Sequence, residues 1–263
     1  MRNRVLDFIA RFFKRGTKLN IFFKYRLKKY KKNQIFFFHI NRSGGNSLKI
    51  AFDIVSNEKI SSPILRIPHK IKAKDINFNN THKYIFSLRD PIERFYSVFY
   101  NKKIIVDGSL QSSEGLRTEK KAIEFEKKLF SSHKDINSLC ENLYNKNQRI
   151  DGLLNVDCVD KISSLNDRLE TWFSIDFLNN NKPFFIFEFE NLQDDFDKFC
   201  KKINYEKRIN LASLYKKHNS GINYNNLVKL SEVSRKNLLI YLENDYKIYN
   251  YLIANKDKIN NSY

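Results

Sequence analysis

The sequence predicts an α/β fold, a single domain with a central parallel sheet flanked by helices, and three observations carry that prediction. Apolar runs beginning near Ile35, Tyr84 and Phe184 each pass into turn or cap residues and then into a helical pattern, the signature of strand–loop–helix units. A parallel strand covered on both faces is apolar along its whole length, as Ile35-Phe36-Phe37-Phe38-His39-Ile40 is. The chain has 263 residues, 41% of them hydrophobic, enough to fill one large core of this kind.

Residues 1–33 mix Phe, Leu and Ile with Lys and Arg, as in Val5-Leu6-Asp7-Phe8-Ile9 and Phe12-Phe13-Lys14-Arg15. Two readings stand: an amphipathic packing helix with a solvated basic face, or a segment resting on an anionic membrane surface. The first apolar run then opens into Asn41-Arg42-Ser43-Gly44-Gly45-Asn46-Ser47, followed by a helical stretch from Leu48 to Val55. Adjacent glycines let the backbone turn its amides toward an anion, and a helix N-terminus adds partial positive charge and free N–H donors. The glycine pair by itself also fits a tight turn with no ligand. A Walker A loop is excluded, because the four-residue spacer between glycines and the Lys that should follow are both missing.

The second run, Lys83 to Leu88, ends in Arg89-Asp90-Pro91-Ile92-Glu93-Arg94-Phe95-Tyr96-Ser97. Asp90 suits an N-cap, Pro91 the first helical position, and Glu93 completes a capping-box pattern, so a helix starts there. Ser97 lies two turns along the face that begins at the cap, which lets Arg89 and Ser97 converge on one anion. A guanidinium fork with a neutral hydroxyl suits a phosphate monoester. The competing reading makes Arg89 an intramolecular salt-bridge residue and Ser97 a filler. Beyond this, residues 104–150 are polar and partly helical. Leu227, Leu230, Val233, Leu238 and Tyr241 have helical spacing and predict a C-terminal packing helix or pair.

A net charge of +19 and a pI near 9.7 attract anions in general, but Lys-rich and Asn-rich composition throughout the chain keeps charge from choosing among them. Cys140, Cys158 and Cys200 are odd in number and lack CxxC spacing, so neither a disulfide framework nor a thiolate metal site is expected, and a reducing compartment fits. The sequence has no apolar run of about 18 residues and no signal-peptide pattern. A cytoplasmic protein is expected, with residues 1–33 offering peripheral contact at the inner face of the membrane.

Taken together and in this order, the two motifs resemble the sulfotransferase superfamily, especially its Golgi-type and bacterial carbohydrate members. The family loop His-Ile-Pro-Lys-Thr-Gly-Gly-Thr-Ser-Leu is similar to His39-Ile40-Asn41-Arg42-Ser43-Gly44-Gly45-Asn46-Ser47-Leu48, and Arg-Asp-Pro-x-x-Arg-x-x-Ser is intact from Arg89 to Ser97. A later strand with Phe-Glu-Asn-Leu resembles Phe187 to Leu192, and a His-x-Asn-x-Ser loop loosely resembles His218-Asn219-Ser220. The resemblance runs from residue 35 to about 250, and the sequence divides into a basic N-terminal segment (1–33), a sulfotransferase domain (34–255) and a tail (256–263).

The resemblance implies a P-loop nucleotide-kinase-like sheet and 3′-phosphoadenosine 5′-phosphosulfate (PAPS) as donor, without a metal. Arg42, Ser43, Gly44, Gly45, Asn46, Ser47 and Leu48 would hold the 5′-phosphosulfate, Arg89 and Ser97 the 3′-phosphate, and Asn219 and Ser220 a further part of the donor. The implied acceptor is a carbohydrate hydroxyl, in a capsule, lipopolysaccharide, glycolipid or other glycan, with contacts expected from residues 104–150. Arg42 replaces the family's Lys, Asn41 its Pro, and Ser43 and Asn46 its Thr, while the Asn219–Ser220 spacing is compressed. Some members place a catalytic His between the two cofactor motifs, where this chain has His69; others use a carboxylate, for which Glu58 is the substitute. Arg42 is the cation expected to steady the leaving phosphate. His39 reads as a buried core histidine, and His82, His133 and His218 lack comparable placement. A small-molecule kinase lacks its Walker residues here, and a basic nucleic-acid-binding module lacks any motif, so no nucleic acid partner is expected.

Overall fold

The computed structural model describes residues 34–58, 63–67, 71–76, 78, 82–106, 120–162, 165–214 and 228–262, with 105 and 120–123 described by their backbone alone. In chain order they form β1 (Ile35–Phe38), α1 (Gly45–Asn57), β2 (Ile64–Ile67), β3 (Lys83–Leu88), α2 (Pro91–Val106), α3 (Lys120–Ser132), α4 (Ile136–Glu141), β4 (Arg149–Ile150), β5 (Leu153–Leu154) and α5 (Asn155–Lys161). There follow α6 (Leu169–Trp172), α7 (Ile175–Asn180), β6 (Phe185–Glu188), α8 (Leu192–Lys202), α9 (Leu211–Leu214), α10 (Glu232–Tyr241) and α11 (Glu243–Asn261).

The α/β class with a central parallel sheet is borne out. Four strands lie in the order β2-β1-β3-β6, every pair parallel, with Phe38 in register with both Ile67 and Phe86, and Leu88 with Glu188. From β1 the chain moves to one side to make β2 and then crosses to the other side to make β3. The strand order therefore reverses at β1, and in open parallel sheets ligands bind beyond the carboxyl ends of the strands at such a reversal.

The described residues divide into two units, one drawn from residues within 34–88, 171–214 and 251–262, the other from residues within 89–170 and 228–250. The first unit holds the sheet. Ile35 and Phe37 of β1, Ile85 of β3 and Phe185 and Phe187 of β6 meet Leu48, Phe52 and Val55 of α1 and Phe196 and Phe199 of α8 in one core. Phe38 and Phe86, pointing to the opposite face, pack on Trp172 and Phe173 with ring centroids 6.1 and 4.5 Å apart. This two-sided covering is why β1 is unbroken apolar sequence. In the second unit Phe95 and Phe99 of α2, Phe130 of α3, Leu139 of α4 and Leu238 of α10 share a separate core.

Two strand features were not singled out from sequence. β2 is an edge strand whose Ile64-Leu65-Arg66-Ile67 is interrupted by a charge and buries only its end residues. The antiparallel β4–β5 ribbon contributes two residues from each strand, too few to show a period. Residues 256–261, expected as part of a tail, form the last turns of α11. Lys256 Nζ lies 2.8 Å from both Glu188 Oε2 and Asp195 Oδ2, and Asn260 uses its amide on the N–H and carbonyl of Ile186 at 2.9 and 3.0 Å. Those contacts hold the helix end against β6. Cys140, Cys158 and Cys200 are buried free thiols. Among the described residues no helix is long and apolar enough to cross a membrane.

Candidate active site

β1 delivers its chain to a tight turn at residues 41–44, and α1 starts at Gly45. Gly44 is the N-cap residue, with φ +80°, a left-handed conformation that a side chain rarely tolerates. A Cβ there would also sit 2.8 Å from Leu192 Cδ2 and 3.1 Å from Phe189 Cδ2, so the loop leaving β6 presses on the turn. Gly45 answers a different need. A Cβ at Gly45 would fall 1.8 Å from Cδ2 of the buried His39 ring, which makes His39 the floor on which the helix begins. Arg42, half-buried, also takes a left-handed backbone at φ +63°.

The start of α1 is chemically open. Among the described residues no side chain caps it, and no Asp or Glu stands in its first turn, so neither offsets the partial positive charge of the helix end there. Beside them the Ser43 hydroxyl is 1% exposed and meets no hydrogen-bond partner among the described residues. A buried hydroxyl is normally satisfied, so an orphan beside an uncapped helix fits a bound anion such as a phosphosulfate. Ser47 is buried nearby in sequence at 7% exposure and Asn46 is exposed. Leu48 contributes its side chain to the hydrophobic core, and its N–H is engaged by the Gly44 carbonyl at 3.4 Å.

In the second unit the motif that begins at Arg89 forms the cap and first turns of α2. Asp90 Oδ1 accepts the Glu93 N–H at 3.0 Å, as an N-cap should. Arg89 is largely covered, with 11% side-chain exposure, and lies 3.8 Å from the exposed Glu93 carboxylate, an i,i+4 pair of small energetic weight. Ser97 is 1% exposed. Arg94, between them, faces Asp245 Oδ2 of α11 at 4.0 Å, and both are buried. Burial pulls Arg94 below the usual guanidinium range while Asp245 opposes that shift; burial likewise pushes Asp245 up against the pull of Arg94. Tyr246 donates its hydroxyl to Asp90 at 2.9 and 3.1 Å from the two carboxylate oxygens. Burial, followed by the Asp90 charge, holds the Tyr246 phenol above its ordinary pKa. Neither Asp245 nor Tyr246 was legible as a site-supporting residue, since about 150 residues of chain separate them from Asp90.

Candidate bases separate clearly. His69 lies outside the described residues, as do Asn219 and Ser220. It follows β2 by two residues, and β2 ends at Ile67, in register with the end of β1 where the cradle opens. Glu58 sits at the C-terminal end of α1, whereas the cradle is at the N-terminal end; a helix of this length spans about 20 Å. Its carboxylate is paired with Lys207 Nζ at 2.9 Å. Glu58 therefore does not serve the cradle. His82 packs edge-on against Phe36 before β3 begins, and His133 is buried with Nε2 3.3 Å from Asn155 Oδ1.

The fold is an α/β protein whose glycine turn and uncapped helix start stand at the switch point of a parallel sheet, where open α/β sheets bind their ligands. The chain belongs to the sulfotransferase family, whose model matches residues 26–252. No curated protein and no solved structure matches it. The protein is thus a transferase of sulfuryl groups.

Proposed function

We propose that this enzyme takes its sulfuryl group from PAPS and delivers it to a hydroxyl of a carbohydrate or glycolipid. The observation that carries the donor assignment is the uncapped start of α1 with the buried Ser43 hydroxyl, which has no hydrogen-bond partner among the described residues, beside it. When bound, the donor supplies a sulfuryl group activated by its attachment to a phosphate. Ser43, Asn46, Ser47 and the N–H groups at the start of α1 would hold the 5′-phosphosulfate. Arg89 and Ser97 would hold the 3′-phosphate, the guanidinium as a charged fork and the hydroxyl as a neutral donor. The role of Arg42 is electrostatic: its guanidinium donates toward oxygens on which negative charge grows as the leaving phosphate departs. His69, as a neutral imidazole, removes the proton from the acceptor hydroxyl. Asn219 and Ser220 extend the donor site in this reading.

The carbohydrate acceptor rests on the resemblance to Golgi-type and bacterial carbohydrate sulfotransferases. The basic, Phe-rich residues 1–33 suit a cytoplasmic enzyme that meets its acceptor at an anionic membrane face. A thermal-shift comparison tests the donor: adenosine 3′,5′-bisphosphate should raise the melting temperature well above the shift from equimolar ATP or oligonucleotide, since a ligand selective for the native state stabilises it. An equal or larger shift from ATP would overturn the assignment. Transfer of labelled sulfate from PAPS to a panel of glycans and glycolipids identifies the acceptor, and labelling of none but small alcohols would refute a carbohydrate.

A further inference from the structure

The segment from Arg89 to Ser97 alternates two kinds of residue. Arg89 and Ser97 are the pair assigned to the 3′-phosphate, while Asp90 and Arg94 are turned to α11, where they meet two successive residues, Tyr246 and Asp245. The contacts differ in kind. Tyr246 donates its one hydroxyl proton to the Asp90 carboxylate, within hydrogen-bond distance of both oxygens, and that carboxylate is at the same time the cap of α2. Asp245 places a carboxylate oxygen 4.0 Å from the buried Arg94 guanidinium and itself accepts the Glu170 N–H at 3.1 Å. One side of this helix start is thereby anchored at two levels, one turn apart.

We infer that Tyr246 is a positioning residue for donor recognition: by holding the Asp90 carboxylate at the cap, it sets the backbone from which the adjacent Arg89 reaches the 3′-phosphate. The physical reason is the proximity of unlike charges. An Asp90 side chain released from its cap would be drawn to the neighbouring Arg89, whose guanidinium already has one carboxylate, Glu93, within 3.8 Å. The Tyr246 hydroxyl and the Glu93 N–H both engage the Asp90 carboxylate and hold it at the cap. Asp245 supports the same helix start through Arg94, but its loss would leave a buried cation uncompensated and would disturb the whole unit, so it is the less discriminating position to test.

This inference rests on the assignment of Arg89 to the 3′-phosphate, and the experiment separates the two. Affinities for adenosine 3′,5′-bisphosphate and for adenosine 5′-phosphate are measured by calorimetry on the full chain as wild type, Tyr246→Phe and Arg89→Ala, with thermal unfolding recorded for each. Tyr246→Phe removes one hydroxyl and should weaken bisphosphate binding about tenfold, the scale of one hydrogen bond, while leaving 5′-phosphate binding within twofold. A purely structural tyrosine would lower the melting temperature and move both affinities together or neither, which would overturn the positioning role. If Arg89→Ala also leaves the preference for the bisphosphate intact, the underlying assignment fails; if only Tyr246→Phe does so, the inference fails alone. Should Tyr246→Phe not fold, Asp90→Asn, which keeps an oxygen for the Glu93 N–H and weakens the acceptor for Tyr246, gives the same readout.

Discussion

The two anion-directed segments start their helices in opposite ways. At α1 the cap is a left-handed glycine, no carboxylate stands in the first turn, and a buried serine hydroxyl has no hydrogen-bond partner among the described residues. At α2 an aspartate caps the helix, a glutamate stands in the first turn, and a tyrosine holds the cap. An anion can therefore be received by backbone N–H groups at the first site, where the helix end is vacant of negative charge. At the second the helix end is already neutralised by Asp90 and Glu93, and recognition falls to side chains, Arg89 above all. The proposed donor sites are thus of two kinds, backbone-type and side-chain-type, and the difference is written in which residue precedes each helix.

The largest effect is expected outside both segments. His69→Ala should lower turnover by roughly 10²–10⁴-fold, the usual scale of general acid–base work, while bisphosphate affinity measured by calorimetry stays near wild type. The acidic limb of the rate profile should follow an imidazole, about 6.5 for an unperturbed ring, and vanish in the variant. Rate rises as the ring loses its proton. A joint loss of binding and turnover would mark His69 as part of a binding segment and would blur the separation of chemistry from anion recognition.

At the backbone-type site, Arg42→Ala should remove about 2–4 kcal/mol of transition-state stabilisation, measured as kcat/KM, while Arg42→Lys keeps substantial activity. A change that makes the first helix start like the second sharpens the comparison further. Asn46 is exposed in the first turn of α1, and Asn46→Asp places a carboxylate there. The melting temperature should rise, since an acid at a helix N-terminus contributes about 0.3–1 kcal/mol, while bisphosphate binding should weaken by a comparable free energy or more. Greater stability with unchanged affinity would show that the end of α1 is not the anion site. The smallest effect is expected from Glu93→Gln, which removes the carboxylate 3.8 Å from Arg89. An exposed pair of this kind is worth at most about 1 kcal/mol, so bisphosphate affinity should rise only a few-fold. A fall would mean that Glu93 orients Arg89 instead of competing for it.

Legibility followed sequence distance. The first strand, the glycine turn and the Asp90 cap were readable because each is decided by a few consecutive residues. The sequence explained Gly44 and Gly45 by one cause, backbone freedom, whereas only Gly44 has the left-handed φ and Gly45 exists to admit the His39 ring. That second cause is a contact between strand and helix, invisible in a local pattern. Glu58, the carboxylate that the resemblance offered as a substitute base, is a full helix length from the glycine turn, because the intervening residues coil along a single axis. Arg94 and Asp90 were seen as the inner members of a motif, but their partners Asp245 and Tyr246 come from a helix whose spacing announces only packing. β2 was missed where Arg66 breaks a four-residue run.

The most direct test of a backbone-type and a side-chain-type site working on one donor is the preference for a 3′-phosphate, measured by calorimetry with adenosine 3′,5′-bisphosphate and adenosine 5′-phosphate in wild type and Arg89→Ala. The account predicts that the wild type strongly favours the bisphosphate, that Arg89→Ala loses about 2–5 kcal/mol of bisphosphate binding, and that 5′-phosphate binding is nearly unchanged. Equal bisphosphate affinity in the two proteins, or an equal loss for both nucleotides, would contradict it.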